Sequence, residues 1–129
     1  MNGEFRGVQT VVSTKEILRR AKESEDGEAY AAVARGPGFR IGVGARTAPK
    51  PAAVFIEVIL DPFPERPRVS AERLAHQAEV VTRLQTRGYV VECDEDSTIT
   101  CERRMAPARV AGEIRDVQRL IEGKERRRD

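Results

Sequence analysis

Two arginines, Arg40 and Arg46, lie six residues apart in the stretch 39–46, with Gly42 and Gly44 between them. At the alternation of a β-strand these four residues share one face, and the other face of the stretch is apolar. The planar guanidinium group pairs with phosphate and stacks on rings. Glycine inside a strand often marks the close approach of a ligand or another backbone. The pattern predicts a strip for a flat anionic partner; alternatively, the glycines admit a packed helix or a β-bulge.

Two phenylalanines are placed to add stacking surfaces to this strip. Parity along the strand candidate 53–60 puts Phe55 on the same face as the glycines, provided that helices cover the opposite face. Phe63 lies among prolines in the segment 61–68, where it cannot join the alternation of a sheet. Either ring can stack an unpaired base. The alternatives are a core covered on both faces for Phe55 and a loop anchor for Phe63.

Further cations follow these rings, and together they define a predicted site for single-stranded nucleic acid. In this interpretation the arginines and a lysine hold phosphates, the phenylalanines stack bases, and the glycines allow close approach. The predicted nucleic-acid-binding residues are Arg40, Gly42, Gly44, Arg46, Lys50, Phe55, Phe63, Arg66 and Arg68.

Other chemistry has little support in the chain. Cys93, Cys101 and the one histidine, His76, are too few for a metal site, and no nucleophile has a base at a recognisable spacing. The two cysteines share parity across one hairpin, so a disulfide is the alternative to buried free thiols. We therefore expect no enzyme activity, no metal, no cofactor and no small-molecule substrate.

The composition fits one small domain with a highly charged surface. The chain has 129 residues, is 34% charged, and has a formal net charge of only +2, although arginines outnumber lysines by 19 to 4. A GC-rich genome and the ion-pair surface of a thermophile are the alternative explanation of that arginine excess. We expect a cytoplasmic protein without a membrane partner, because no apolar run approaches the ~18 residues of a span and no secretion signal is present.

The predicted elements follow the order α-β-β-β-α-β-β-α. Ser13 is placed as the N-cap of the first helix, and the hairpins favour a five-stranded antiparallel sheet with helices on one face, an α+β domain over 1–123 with a charged tail at 124–129. The predicted ranges are 14–24, 28–35, 39–47, 53–60, 70–87, 89–94, 98–105 and a last helix from 107 to about 121.

The last helix has a short heptad pattern of apolar residues. Such a stripe either packs on the sheet or pairs with its copy in a second chain. We expect a homodimer or higher homo-oligomer formed through this stripe, which consists of Val110, Ile114, Val117 and Ile121.

The size, the sheet backed by helices and the terminal amphipathic helix of residues 28–121 resemble the single-stranded DNA-binding protein family of Thermoproteales (ThermoDBP) and its archaeal relatives. This resemblance implies a single-stranded DNA or RNA partner in a basic and apolar cleft, and oligomerisation through the last helix. The element order is also similar to that of secretion-chaperone-like domains, which are dimers that hold extended peptides. A continuous basic groove favours nucleic acid, whereas an apolar patch ringed by both charge signs favours a protein-binding adaptor.

Overall fold

The computed structural model describes residues 13–61, 71–95 and 97–123, and it confirms the predicted order and the α+β class. Ser13 caps the first helix by accepting a hydrogen bond at Oγ from the Glu16 N–H at 3.4 Å. The elements are α1 (Thr14–Glu23), β1 (Glu28–Gly36), β2 (Phe39–Arg46), β3 (Ala53–Leu60), α2 (Ala71–Thr86), β4 (Val90–Cys93), β5 (Ile99–Met105), a 3₁₀ turn (Pro107–Arg109) and α3 (Val110–Glu122).

The five strands form one antiparallel sheet in the order β1-β2-β3-β5-β4. A bulge between Ala32 and Ala34 interrupts the pairing of β1 with β2. The bulge shifts the alternation of β1 by one residue, so that Arg35 lies opposite Arg40. Both residues therefore share a face with the glycines of β2.

The helices cover one face of this sheet. Buried residues of all three helices join one apolar cluster with the inward side chains of β2, among them Ile41 and Val43. Ile17 of α1, Leu84 of α2 and Val117 of α3 are wholly buried there. The predicted packing of helices on one face is confirmed. Across the ranges that the structure describes, no helix is long and apolar enough to span a bilayer.

The apolar stripe of α3 packs on the chain's own core. Val110, Ile114, Val117 and Ile121 are each at most 8% exposed, which is the first alternative of the sequence analysis. Their assignment to a dimer contact is therefore wrong, because α3 needs this stripe to bury the sheet beneath it. A homodimer or homo-oligomer through another surface stays a prediction.

The two cysteines are free thiols, Cys93 exposed and Cys101 buried. The hairpin places Cys101 opposite Val91 and Cys93 opposite Ile99, so the cysteines are not direct cross-strand neighbours. Burial raises the pKa of the Cys101 thiol to about 11, which keeps it protonated and unreactive at neutral pH.

A buried carboxylate ties α3 to the rest of the chain. Glu113 is 4% exposed and accepts hydrogen bonds from Arg87 at 2.7 and 3.1 Å, from the Tyr89 hydroxyl at 2.9 Å and from Arg103 at 3.3 Å. Burial alone raises the pKa of this carboxyl, but the hydrogen bonds from Arg87 and Tyr89 and the two guanidinium charges outweigh it, and the pKa is lowered. The charged form is thus the form that the fold stabilises.

We predict that Glu113→Gln destabilises the chain by about 3 kcal/mol, because it leaves the partly buried Arg103 without its counter-charge and Arg87 with only the Asp116 carboxylate, at 3.4 Å. Urea unfolding at pH 7 measures this loss. The matched control is Glu92→Gln, at an exposed glutamate of β4, which should change the stability by less than about 0.5 kcal/mol.

The same two variants test how the stability contributed by Glu113 depends on pH. The pKa of Glu113 is lowered in the folded state. The contribution of its charge to the free energy of unfolding is therefore complete above the unfolded pKa of about 4.3 and is lost as the pH falls below that value. Wild type and Glu92→Gln should lose this stability on acidification, and Glu113→Gln should lack that component. A loss of equal size in all three proteins would contradict the assignment.

Candidate functional site

The face of the sheet opposite the helices is the candidate site, and we call it the open face. Alternation and register assign its side chains, because residues directly opposite in an antiparallel pair point to the same side. They are Glu28, Tyr30, Ala32 and Arg35 of β1, Arg40, Gly42, Gly44 and Arg46 of β2, Phe55, Glu57 and Ile59 of β3, Thr100, Glu102 and Arg104 of β5, and Val90 and Glu92 of β4.

Aromatic rings of the chain itself fill the glycine strip. A Cβ atom on Gly44 would lie 2.7 Å from Cε2 of Phe55, and one on Gly42 would lie 2.6 Å from Cε1 of Tyr30. The rings of β1 and β3 thus lie on bare backbone of β2. The expectation of an empty strip for a ligand is wrong: the glycines do permit a close approach, but they permit it to Tyr30 and Phe55.

Arg46 covers the outer side of the Phe55 ring. Its guanidinium carbon lies 4.1 Å from the ring centroid, and its two Nη atoms donate to the Glu102 carboxylate at 2.7 and 3.0 Å. Phe55 is consequently only 6% exposed. The roles predicted for both residues need correction, since Phe55 has no free ring face for a base and Arg46 already has a carboxylate partner.

The centre of the open face is acidic. Glu57 lies directly opposite Glu102 across β3 and β5. Burial, and then the charge of Glu102, raise the pKa of Glu57, while Arg46 and Arg40 partly oppose this shift. Register assigns to the face as many arginines (Arg35, Arg40, Arg46, Arg104) as glutamates (Glu28, Glu57, Glu92, Glu102). The face is therefore charge-balanced and is not a continuous basic groove.

Tyr30 is the exposed aromatic side chain of the face, at 41% exposure. Partial burial and the charge of Glu57 raise the pKa of the Tyr30 hydroxyl. The charge of Arg40 and a hydrogen bond with it oppose that rise. The sequence analysis missed Tyr30. Tyr30 and Glu28 point to the same side of β1, and β1 pairs with the strand that contains the glycines. This alternation is the signal that could have identified Tyr30.

The hairpin end of the open face has a separate cationic corner. Arg35 and Arg40 are both exposed and line a cavity of about 380 Å³ together with Gly36, Gly38, Ile59 and Thr98. On the helical side of the same hairpin, a second cavity of about 300 Å³ lies between Phe39, Val80 and Ile121. His76 stands at its rim and donates from Nε2 to the Ile121 carbonyl at 2.7 Å.

The remaining predicted residues are not brought together with the strip. Lys50 is exposed in the connection after β2, and its phosphate contact stays a prediction. Phe63, Arg66 and Arg68 lie outside the described residues. Among the residues that the structure describes, no three metal-ligating side chains are grouped as a metal would need.

Fold and face together define an α+β protein with an open-faced antiparallel sheet. No family model, curated protein or solved structure matches the chain. The resemblance to the ThermoDBP family therefore stays a prediction.

We predict that Gly44→Ala destabilises the chain by about 1–3 kcal/mol, because the new methyl group displaces the Phe55 ring from its place under Arg46. Urea unfolding measures the loss, and the second variant Phe55→Leu should recover part of it in the double mutant. Gly112→Ala is the control: a Cβ there meets nothing within 4 Å, so helix propensity should stabilise α3 by up to about 1 kcal/mol. Equal effects of the two alanines would contradict the stacking interpretation.

Proposed function

We propose that the open face binds an extended segment of another protein, as an adaptor or chaperone-like domain does. The observation that supports this proposal is the charge balance of the face around an aromatic side chain. Arginines and glutamates occur on it in equal number, and Tyr30 and Val90 remain 41% and 67% exposed. Surfaces that combine exposed apolar groups with both charge signs are typical of protein interfaces.

The acidic centre disfavours a polyanion along the length of the face. A nucleic acid strand carries a negative charge at every phosphate and gains its affinity by releasing counterions from them. Such a strand would meet Glu57 at the middle of the sheet, while Arg46 is paired with Glu102 at 2.7 Å and offers it no unpaired positive charge. A polypeptide can present either sign at each position and avoids this repulsion.

Tyr30 is the side chain that we expect to contact the segment most strongly. Its ring rests against Gly42, so little rotational freedom is left to lose on binding. Tyrosine is also enriched among the residues that dominate protein interfaces, since it offers a large apolar surface and a polar tip. Ile59, partly exposed on the same face, extends this apolar surface towards the hairpin end.

Single-stranded nucleic acid is the second candidate, and one observation favours it. Arg35, Arg40 and Tyr30 lie close together at the hairpin end, with Arg40 hydrogen-bonded to Tyr30. This corner offers two phosphate contacts beside one ring for a base. It is smaller than the strip predicted from the sequence, because Arg46, Phe55 and the two glycines no longer contribute.

A peptide selection tests the protein-binding proposal. We predict that a random library of peptides about 12 residues long yields binders whose affinity falls at least tenfold in Tyr30→Ala and is retained in Tyr30→Phe, as measured by fluorescence anisotropy. Leu74→Ala is the matched control, because Leu74 is an exposed apolar residue of α2, on the helical side. If the selected peptides bind Tyr30→Ala as tightly as the wild type, the open face is excluded as their binding site.

An oligonucleotide titration tests the second candidate. A labelled oligothymidylate that uses only Arg35 and Arg40 should show a slope of log K against log salt near −1.4, at about 0.7 per phosphate. Under the protein-binding proposal we expect no measurable binding at about 150 mM salt. If the oligonucleotide binds at this salt concentration with this slope, and does not bind Arg35→Gln/Arg40→Gln, then the ligand of the open face is nucleic acid and not a polypeptide.

A further inference from the structure

We propose that Arg35 and Arg40 together bind one carboxylate side chain, an aspartate or glutamate, of the segment that docks on the open face. This inference rests on the proposed function and specifies its partner. The ligand class is thereby narrowed to an extended polypeptide with an acidic residue at the hairpin end of the sheet.

The two arginines are held in an arrangement that needs an anion. They lie directly opposite each other in β1 and β2, and cross-strand pairs of like charge destabilise a sheet. Within the part of the chain that the structure describes, neither guanidinium forms an ion pair within 4.0 Å. Both side chains are exposed. A carboxylate between them would remove the repulsion and accept N–H donors from both sides.

The β1–β2 hairpin fixes the backbone positions of Arg35 and Arg40. Gly38 takes the positive φ of 79° that the turn requires and accepts a hydrogen bond at its carbonyl from the Asp61 N–H at 2.9 Å, at the end of β3. Phe39, the first residue of β2, is anchored in the core. Because the turn is fixed to two neighbouring strands, the backbone positions from which the two arginines project are set before any ligand arrives.

The surroundings of the pair fit a single carboxylate. The cavity of about 380 Å³ has Ile59 as an apolar wall and Thr98 and Asp61 at its polar side. Its two guanidinium groups suit one anionic group that accepts N–H donors from both. A phosphodiester carries the same charge as a carboxylate, but its neighbours along a strand would approach Glu57. The placement therefore favours an isolated carboxylate on a polypeptide.

A side-chain NMR titration of the ¹⁵N-labelled full chain tests the inference. The probes are two capped serine–glycine hexapeptides that differ only in one central residue, glutamate or glutamine, and the signals are the Nε–H groups of Arg35 and Arg40. We expect the glutamate peptide to shift both signals and the glutamine peptide to leave them unchanged. The affinity for the glutamate peptide should fall at least tenfold in Arg35→Gln/Arg40→Gln.

The matched control is Arg109→Gln/Arg115→Gln, which removes two exposed arginines from the helical side and should leave the titration unchanged. The melting temperature of each variant checks that the fold is intact, and Arg35→Gln alone should raise it at low salt by relieving the repulsion. Equal loss of affinity in both double variants would overturn the inference. The inference would also be overturned if oligothymidylate shifted the two signals and the glutamate peptide did not, because the arginine pair would then be a phosphate site.

The proposed function can fail separately from this inference. If the glutamate peptide binds at the two arginines but no selected peptide depends on Tyr30, the pair is a carboxylate site on a face that does not dock proteins. If peptides depend on Tyr30 and not on the arginines, the proposed function stands and the carboxylate site is excluded.

Discussion

The carboxylate of Glu113 is the buried charge of the described chain, and the position of α3 depends on it. A charge in a low-dielectric interior is stable only when every partner is in place. Here those partners come from two segments: Arg87 and Tyr89 lie in the short connection between α2 and β4, and Arg103 belongs to β5. Satisfying all three donors at once fixes α3 against the end of α2 and the β4–β5 hairpin.

This constraint also decides which face of the sheet stays open. With α3 fixed beside α2, the buried side chains of all three helices enter one cluster with the inward residues of the strands. The opposite face must then shield its own apolar groups. It does so by laying Tyr30 and Phe55 on the glycines of β2 and by closing Phe55 under Arg46. The stack of backbone, ring and guanidinium takes the place of a second helical layer.

Most of the fold could be predicted because it depends on local signals. The Ser13 cap, the glycine turns and the period-two strands identified the first seven elements within one residue at their ends, and the hairpins implied antiparallel pairing. The last helix was predicted from 107, but 107–109 form a 3₁₀ turn and α3 begins only at Val110. The stripe of α3 was assigned to the wrong partner, because the same heptad spacing suits a sheet or a second helix.

The candidate site was predicted only in outline, because its details depend on register. Parity correctly placed Gly44 and Phe55 on one face, but only the pairing of β2 with β3 puts them directly opposite each other. The bulge in β1, which brings Arg35 opposite Arg40, leaves no mark in the sequence that alternation would detect. Long-range pairs such as Arg46 with Glu102 are likewise beyond local patterns.

The distribution of charge on the open face has a consequence for selectivity. A uniformly basic face would bind any polyanion, with an affinity set by the number of phosphates. This face instead separates its charges: two arginines without an ion pair at Arg35 and Arg40, the carboxylate of Glu57 at the centre, and beside it the ion pair of Arg46 with Glu102. A ligand gains affinity from these charges only if the charges along its length follow the complementary order, since a misplaced charge is repelled by a like charge on the face. Selection by order requires a polymer whose charges vary from residue to residue, and this requirement is the physical reason for preferring a polypeptide to a nucleic acid as the partner.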